Sequence, residues 1–201
     1  MDLNLSVFSS NISSVLSIYE DSEKTRLNNR NELPKKLEKD TNWSDSEFEK
    51  FSHYEYHFEW LLIHSLFISA FSYFETFMLS QAKQIEKKTN SKIRLKDIKG
   101  KGDLDCYRKY INLIGEIEFV SNSSKEWQEI SEFKTIRNSI IHKYGVIDKK
   151  VNLIKKYDLY YGESEKMIRI KNIEFLKDFC KSSIDYMTEL VTELKQKNYS
   201  S

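Results

Sequence analysis

Polar side chains late in one predicted helix have the types that acid–base and anion chemistry use. Arg137 and His142 are separated by four residues in the string RNSIIH. A histidine takes or gives a proton near neutral pH, and a guanidinium offers a planar fork of donors to an anion. Asn138 lies one turn before His142 and shares its side of the helix. The three residues are candidates for a catalytic or anion-binding site.

Arg137 occupies an unusual position for a charged residue. On a helical wheel with Phe133 at 0°, a set of apolar side chains within about 80° defines the core face. These side chains are Ile130, Ile136, Ile140 and Ile141. Arg137 lies at about 40°, inside this stripe, whereas Asn138 and His142 lie at about 140° and 180°. Burying a charge is costly without a partner, so we expect Arg137 to have an anionic partner or a route to solvent.

Glu75 is the candidate partner for this arginine. Between Trp60 and Ala82 it is the one residue with a formal charge. We therefore predict that Glu75 and Arg137 face each other, directly or through water, and fix the position of the helix that carries Arg137. The alternative is that Glu75 reaches a solvated edge of the bundle.

Helical periodicity predicts the elements that position these residues. Five helices are expected, over about residues 4–30, 45–88, 103–119, 123–145 and 172–196. Ser44 and Glu47 form a predicted capping box for the second helix, and Asn172 is the predicted N-cap of the last. Pro34 and the polar residues after it predict a connection. β-Forming residues around a Gly-Glu-Ser turn predict a small hairpin outside the bundle, over about residues 146–170.

These elements indicate an all-α fold, a helical bundle with a β-hairpin insertion before the last helix. We expect one domain over residues 1–201, with a core of about 4–145 and 172–196. Five glycines and one proline in 201 residues exclude a Gly-rich nucleotide-binding loop and favour long helices. Phosphate contacts, if made, must therefore come from side chains on a helix.

Although the net charge is only +1, the sequence contains two stretches rich in lysine and arginine. Residues 134–156 contain seven Lys or Arg and one acid, Asp148. Residues 83–101, which overlap a predicted connector at 89–102, contain eight Lys or Arg and two acids. Because the total charge is balanced, any binding of nucleic acid must come from such local charge.

The Arg-Asn-x-x-x-His string at a helix end, followed by Gly145, resembles the signature of the HEPN family of helical ribonucleases. That signature is an Arg, four to six residues and a His, and the residue after the Arg is usually polar, as Asn138 is. The SYFETF segment around Glu75 is similar to the first core helix of larger HEPN proteins. The resemblance covers about residues 55–145 in pattern and the last helix in position.

The resemblance implies metal-independent cleavage of RNA, without a cofactor, in which the ribose 2′-hydroxyl attacks the neighbouring phosphate. The products would carry a 2′,3′-cyclic phosphate and a 5′-hydroxyl. His142 would move protons, Arg137 would stabilise the pentavalent phosphate, and Asn138 would orient the imidazole or bind a phosphate oxygen. We expect Lys134, Lys143 and Tyr144 to contact the RNA.

The resemblance also implies partners. About 140° separates Arg137 from His142 on one helix, so one helix cannot easily surround a phosphate with both. HEPN proteins pair the motif helices of two protomers around one cleft, and a homodimer is therefore expected. In HEPN toxins paired with a nucleotidyltransferase antitoxin, the Tyr two residues after the His is adenylylated, and Tyr144 has that position. The resemblance is consistent with two settings: a toxin with such an antitoxin, or an anti-phage defence effector with another partner.

Other interpretations stay open beside this one. The main alternative is a catalytically inactive HEPN-like module that binds RNA or protein. A metal site could be built from three histidines of the second helix, His53, His57 and His64. No cysteine accompanies them, so roles in the core or on the surface are favoured. The run 60–79 has the length of a membrane span, but its polar residues favour a buried core helix.

The cysteines and the N-terminal residues bear on localisation. Cys106 and Cys180 lie far apart without a CxxC pair and are interpreted as buried thiols in a reducing compartment. The first ten residues contain no basic segment ahead of an apolar run, so no signal peptide is predicted. We therefore expect a cytoplasmic protein without membrane association.

Overall fold

The long apolar segment in the middle of the chain forms the central helix of a bundle. The structure, a computed structural model, describes residues 3–37, 44–147 and 151–199. Within them, α3 (Phe58–Lys88) contacts four other helices: α1 (Leu3–Leu37), α4 (Asp103–Leu113), α5 (Lys125–Lys143) and α7 (Ile173–Gln196). The predicted all-α bundle with a small hairpin before the last helix is confirmed.

Aromatic side chains fill the space between α3, α5 and α7. The rings of Phe67 and Phe71 lie 5.1 and 5.5 Å from that of Phe179 on α7. Phe133 of α5 lies 5.2 Å from the same ring, and all four side chains are fully buried. Because these rings fix α5 against α3, they also determine where the polar residues of α5 lie.

The central helix is also apolar enough to be compared with a membrane span. Within the described residues, one helical stretch, Asp45–Lys88, is long and apolar enough by length and composition to cross a membrane. Half of its most apolar window is buried inside the bundle, and a core helix meets the same criterion. Phe67, Phe71 and Phe74 on it are fully covered by neighbouring elements.

Two predictions in the N-terminal half are revised. The first helix does not end before Pro34 but continues through it to Leu37. Proline removes one N–H donor, and Pro34 is exposed close to the helix end, where that loss disturbs little. The rest of the predicted connection, residues 38–43, lies outside the described residues. The helix predicted over 45–88 consists of α2 (Asp45–Ser52), a π-helical turn (His53–His57) and α3.

Two predicted helix caps are confirmed, and one predicted helix end is wrong. Ser44 and Asn172 cap α2 and α7 as predicted: the Ser44 amide donates to the Glu47 carboxylate at 3.1 Å, and Asn172 Oδ1 accepts from the Phe175 amide at 3.3 Å. The helix predicted over 103–119 is shorter, because α4 ends at Leu113. Glu116 then takes a left-handed conformation with φ 54°, which no α-helix continues.

The hairpin is smaller than predicted and is not outside the bundle. β1 (Tyr160–Gly162) pairs antiparallel with β2 (Met167–Arg169), with Tyr161 opposite Ile168. Ile168 and Ile170 are buried in the core, and the Ile170 amide donates to His64 Nε2 at 3.0 Å. The hairpin therefore covers the side of α3.

A short helix replaces the expected β-structure before the hairpin. Residues Val151–Lys156 form α6, and Leu153 and Tyr157, four residues apart, are both buried. That spacing is helical, and a short apolar run does not distinguish a strand from a helix by its residue types alone. Asp148 and the two lysines after it, which belong to the predicted basic stretch, lie outside the described residues.

Candidate functional site

The end of α5 is fixed by its own backbone and by the hairpin. Ser124, one residue after the predicted start, caps the helix by accepting from the Trp127 amide at 3.1 Å. At the other end Tyr144 is left-handed with φ 52°, and Gly145 follows with φ 84°. The Ile168 amide donates to the Gly145 carbonyl at 2.9 Å. A Cβ on Gly145 would lie 2.9 Å from the Ile168 carbonyl oxygen, so glycine is required at this close approach.

A buried hydroxyl adds a second connection at this helix end. Ser139 is buried, and its Oγ donates to the Val146 carbonyl at 2.9 Å. The Gly145 amide donates to the Ser139 carbonyl, also at 2.9 Å. These contacts hold the chain that follows the last turn, and so they define the direction in which His142 and Tyr144 project.

Arg137 is mostly buried and contacts Glu75, as predicted. Arg137 Nη2 lies 3.5 Å from Glu75 Oε2, with the two side chains 19% and 30% exposed. Arg137 Nη1 donates to Asn138 Oδ1 at 3.0 Å. The guanidinium carbon lies 5.8 Å from the centre of the Phe71 ring, within the range of a cation–π contact. The predicted pair that joins α3 to α5 is therefore confirmed.

The guanidinium is incompletely satisfied in this arrangement. Its Nε is buried and has no hydrogen-bond partner among the described residues. The distance of 3.5 Å to Glu75 is longer than the 2.7–2.9 Å that is typical of charged hydrogen bonds. Arg137 thus keeps unused hydrogen-bonding capacity, and the Glu75 carboxylate is a loosely held partner.

The other residues of the motif face solvent. His142, Lys143 and Tyr144 are exposed, and Tyr144 is 86% exposed. No hydrogen bond of the His142 side chain is found among the described residues, and Asn138 directs its carbonyl oxygen to Arg137. Arg137 and Asn138 are thus brought together with Glu75, whereas His142 stands apart, on the next turn.

Most of the core face predicted for α5 is buried in the structure. Ile130, Phe133 and Ile136 are buried, but Ile141, which was expected on the same face, is 37% exposed. Ile141 lies at the edge of the predicted stripe and in the last turn, where fewer neighbouring elements cover the helix.

Lys134, a predicted RNA contact, lies two turns before His142 on α5, and its Nζ donates to the Lys101 carbonyl at 3.4 Å.

The three histidines considered for a metal site have other surroundings. His64 is buried, accepts from the Ile170 amide and packs edge-on against Trp60. Burial, with a smaller effect of the Arg169 charge, lowers the pKa of His64 to about 4. His53 and His57 are exposed in the π-helical turn. In the described part of the chain no three His, Cys, Asp or Glu residues form a group that could hold a metal ion.

The two cysteine thiols, Cys106 and Cys180, differ in their burial. Cys180 is buried as predicted, and burial raises the pKa of its thiol to about 12. Cys106 is half-exposed and lines a groove, so the prediction of a buried thiol is wrong at this position.

A groove near the end of α3 was not foreseen from the sequence. It has a volume of about 840 Å³ and lies between the end of α3, the segment after it and α4. Lysines of the basic stretch 83–101 line it, so the charge was visible in the sequence, but the concave shape and the contribution of Tyr107 were not.

The chain matches no protein-family model, no curated protein and no solved structure.

Proposed function

We propose that this chain is a metal-independent endoribonuclease of the HEPN type. The observation that supports this most is the state of Arg137, a guanidinium in an apolar helix face with a loosely held carboxylate partner and a buried, unpartnered Nε. Such a group is suited to bind the charge that develops on a phosphate during cleavage. Exposed His142 lies on the next turn of the same helix.

The proposed reaction needs no added reagent. A neutral His142 imidazole accepts the proton of a ribose 2′-hydroxyl, and the 2′-oxygen forms a bond to the adjacent phosphorus. The bond from phosphorus to the 5′-oxygen breaks, and an imidazolium donates a proton to that oxygen. The products are a 2′,3′-cyclic phosphate and a 5′-hydroxyl. General acid–base catalysis of this kind contributes typically about 10²–10⁴-fold.

The second imidazole is proposed to come from a second copy of the chain. Arg137 and His142 are five residues apart on α5, which corresponds to about 7.5 Å along the helix and about 140° around it. A homodimer that pairs two α5 helices would surround one phosphate with two copies of each residue. Exposed Ile141 and Tyr144 at the end of α5 supply apolar surface for such a contact.

The biological setting is proposed from the motif resemblance. A toxin or an anti-phage defence effector that cleaves RNA requires control, and an antitoxin nucleotidyltransferase is one such partner. Tyr144, 86% exposed, leaves its hydroxyl accessible for transfer of AMP from ATP with release of pyrophosphate. Tyr144 and Lys143 lie beside His142, so a bulky anionic group there would obstruct the RNA.

The chemistry of the products tests this proposal. Purified protein in EDTA should cleave single-stranded RNA to fragments with 2′,3′-cyclic phosphate and 5′-hydroxyl ends, and an oligonucleotide with 2′-deoxyribose at the cleavage site should stay intact. Fragments with 5′-phosphate ends would contradict the mechanism, because water would then be the nucleophile. Binding of RNA without cleavage by the wild-type protein would favour the alternative, an inactive HEPN-like binding module.

A further inference from the structure

We propose that the groove at the end of α3 binds phosphates of the RNA strand that flanks the scissile bond, and so acts as a guiding subsite of the ribonuclease. This inference rests on the proposed function. The groove lies between α3, the connecting segment 89–98 and α4, away from the motif itself.

The charges around the groove favour an anion. Four basic side chains line it, and two acidic ones, so the lining carries 4 − 2 = +2. The basic residues are Lys83, Lys87, Arg94 and Lys96. Each is exposed, and none of the four forms a salt bridge within the described part of the chain. Unpaired like charges around a concave surface repel one another and attract an anionic ligand.

The wall of the groove is preformed. The Leu95 amide donates to Glu86 Oε1 at 2.8 Å, and the Arg94 amide donates to Asp97 Oδ2 at 2.8 Å. The first bond fixes the connecting segment against α3, the second fixes the turn within that segment, and neither uses the Arg94 side chain. The first bond also engages the Glu86 carboxylate inside the wall, so it opposes the cations less than a free carboxylate would.

Tyr107 adds an aromatic side chain to the groove. It lines the groove and is half-buried. Burial, with smaller effects of the nearby negative charges of Asp103 and Glu75, raises the pKa of Tyr107, so its hydroxyl stays neutral at physiological pH. An aromatic ring at the edge of a basic groove offers a surface on which an unpaired base can stack.

A connection between the groove and the motif runs along α5. Lys134 Nζ donates to the Lys101 carbonyl, and the Lys101 amide donates to Asp105 Oδ2, the residue before Cys106 of the groove. From Lys134, Asn138 and His142 follow at intervals of four residues, a stripe of about 12 Å along one side of the helix. A strand with its scissile phosphate at His142 can follow this stripe to the groove. This continuity favours RNA over an acidic protein segment as the occupant.

Binding to an uncleaved RNA tests the groove separately from catalysis. The His142→Ala protein is titrated with a fluorescent single-stranded RNA at several salt concentrations, alone and with Lys83→Glu/Lys87→Glu added. The control is Lys35→Glu/Lys181→Glu, which changes the net charge equally at exposed positions outside the groove. For single strands log K falls with log salt with a slope of about −0.7 per phosphate contact, so the groove variant should reduce the steepness of this fall by about 1.4.

The outcomes separate the two proposals. An equal slope for the groove variant and the control would overturn the guiding subsite, even if the wild-type protein cleaves RNA. A less steep salt dependence for the groove variant alone would support the subsite, even if the wild-type protein fails to cleave. In the second case the proposed ribonuclease fails while the RNA-binding groove stands.

Protection of Cys106 is a second measurement that needs no charge reversal. Cys106 lines the groove and is half-exposed, whereas Cys180 is buried and serves as an unreactive reference. RNA bound to the His142→Ala protein should slow maleimide labelling of Cys106 severalfold. Unchanged labelling under conditions where the RNA is bound would overturn the proposal. Protection by a polyglutamate peptide but not by RNA would assign the groove to an acidic protein partner instead.

Discussion

Removal of Glu75 tests whether the Arg137 pair holds α5 in position. Glu75→Ala deletes the carboxylate that lies 3.5 Å from Arg137 Nη2 and leaves the guanidinium mostly buried. Arg137 then keeps Asn138 Oδ1 as an acceptor and the face of Phe71, but has no opposite charge among its described neighbours. The folded state must retain an uncompensated cation, which the unfolded chain can hydrate.

The burial of the pair sets the size of the effect. Removing one partner of a fully buried pair costs about 3–5 kcal/mol, whereas exposed pairs contribute about 0–1 kcal/mol. The side chains here are 19% and 30% exposed, so the pair lies between these limits. We expect Glu75→Ala to lower the free energy of unfolding by about 1–2 kcal/mol. For a chain of this size that corresponds to a fall in Tm of about 2–8 °C.

Chemical and thermal denaturation followed by circular dichroism measure this loss. Glu20→Ala is the control, because Glu20 is an exposed glutamate within α1 and should change the free energy by less than about 0.5 kcal/mol. In an Arg137→Met background the cost of Glu75→Ala should fall to the level of the control. Equal losses for Glu75→Ala and Glu20→Ala in the wild-type background would refute the argument.

Three further predictions concern the rest of the molecule. The pKa of His64 is lowered to about 4 in the folded state, so stability is complete above its ordinary pKa of 6.5 and falls as the pH drops towards 4, by up to about 3 kcal/mol. His64→Gln should remove most of this pH dependence, and denaturation at about pH 7 and about pH 4.5 checks it. Gly145→Ala should cost about 1–3 kcal/mol, because the residue has φ 84° and faces the Ile168 carbonyl; unchanged denaturation would contradict this. Light scattering should give about twice the chain mass of 24.0 kDa, and a monomer at working concentration would count against the proposed cleft.

The sequence was informative where a local rule determines the structure. The central position of α3 followed from its nearly continuous apolar character, and the caps at Ser44 and Asn172 followed from residue type and spacing. The α6 helix could not be separated from a strand, because a six-residue segment with three apolar residues fits both periods. The π-helical turn His53–His57 was not predicted, because its residue types also fit an ordinary α-helix.

The candidate site was predictable only in part, for a related reason. Arg137 and Glu75 could be paired because Glu75 is the one formal charge between Trp60 and Ala82, and Arg137 is a charge within the apolar face of its helix. The groove depends on contacts between segments that are distant in sequence, such as the amide of Leu95 with Glu86 and the tyrosine hydroxyl of Tyr110 with the Ile93 carbonyl. No periodicity in the chain encodes such contacts.

Cleavage of RNA in EDTA by wild-type and His142→Ala protein is the most direct test of the proposed function. His57→Ala is the matched control, because His57 is also an exposed histidine on a helix but lies outside the motif. The proposal predicts cleavage by the wild-type and His57→Ala proteins and none by His142→Ala, with the same helical circular dichroism for all three. Cleavage that persists in His142→Ala, or that requires an added metal ion, would contradict the proposal.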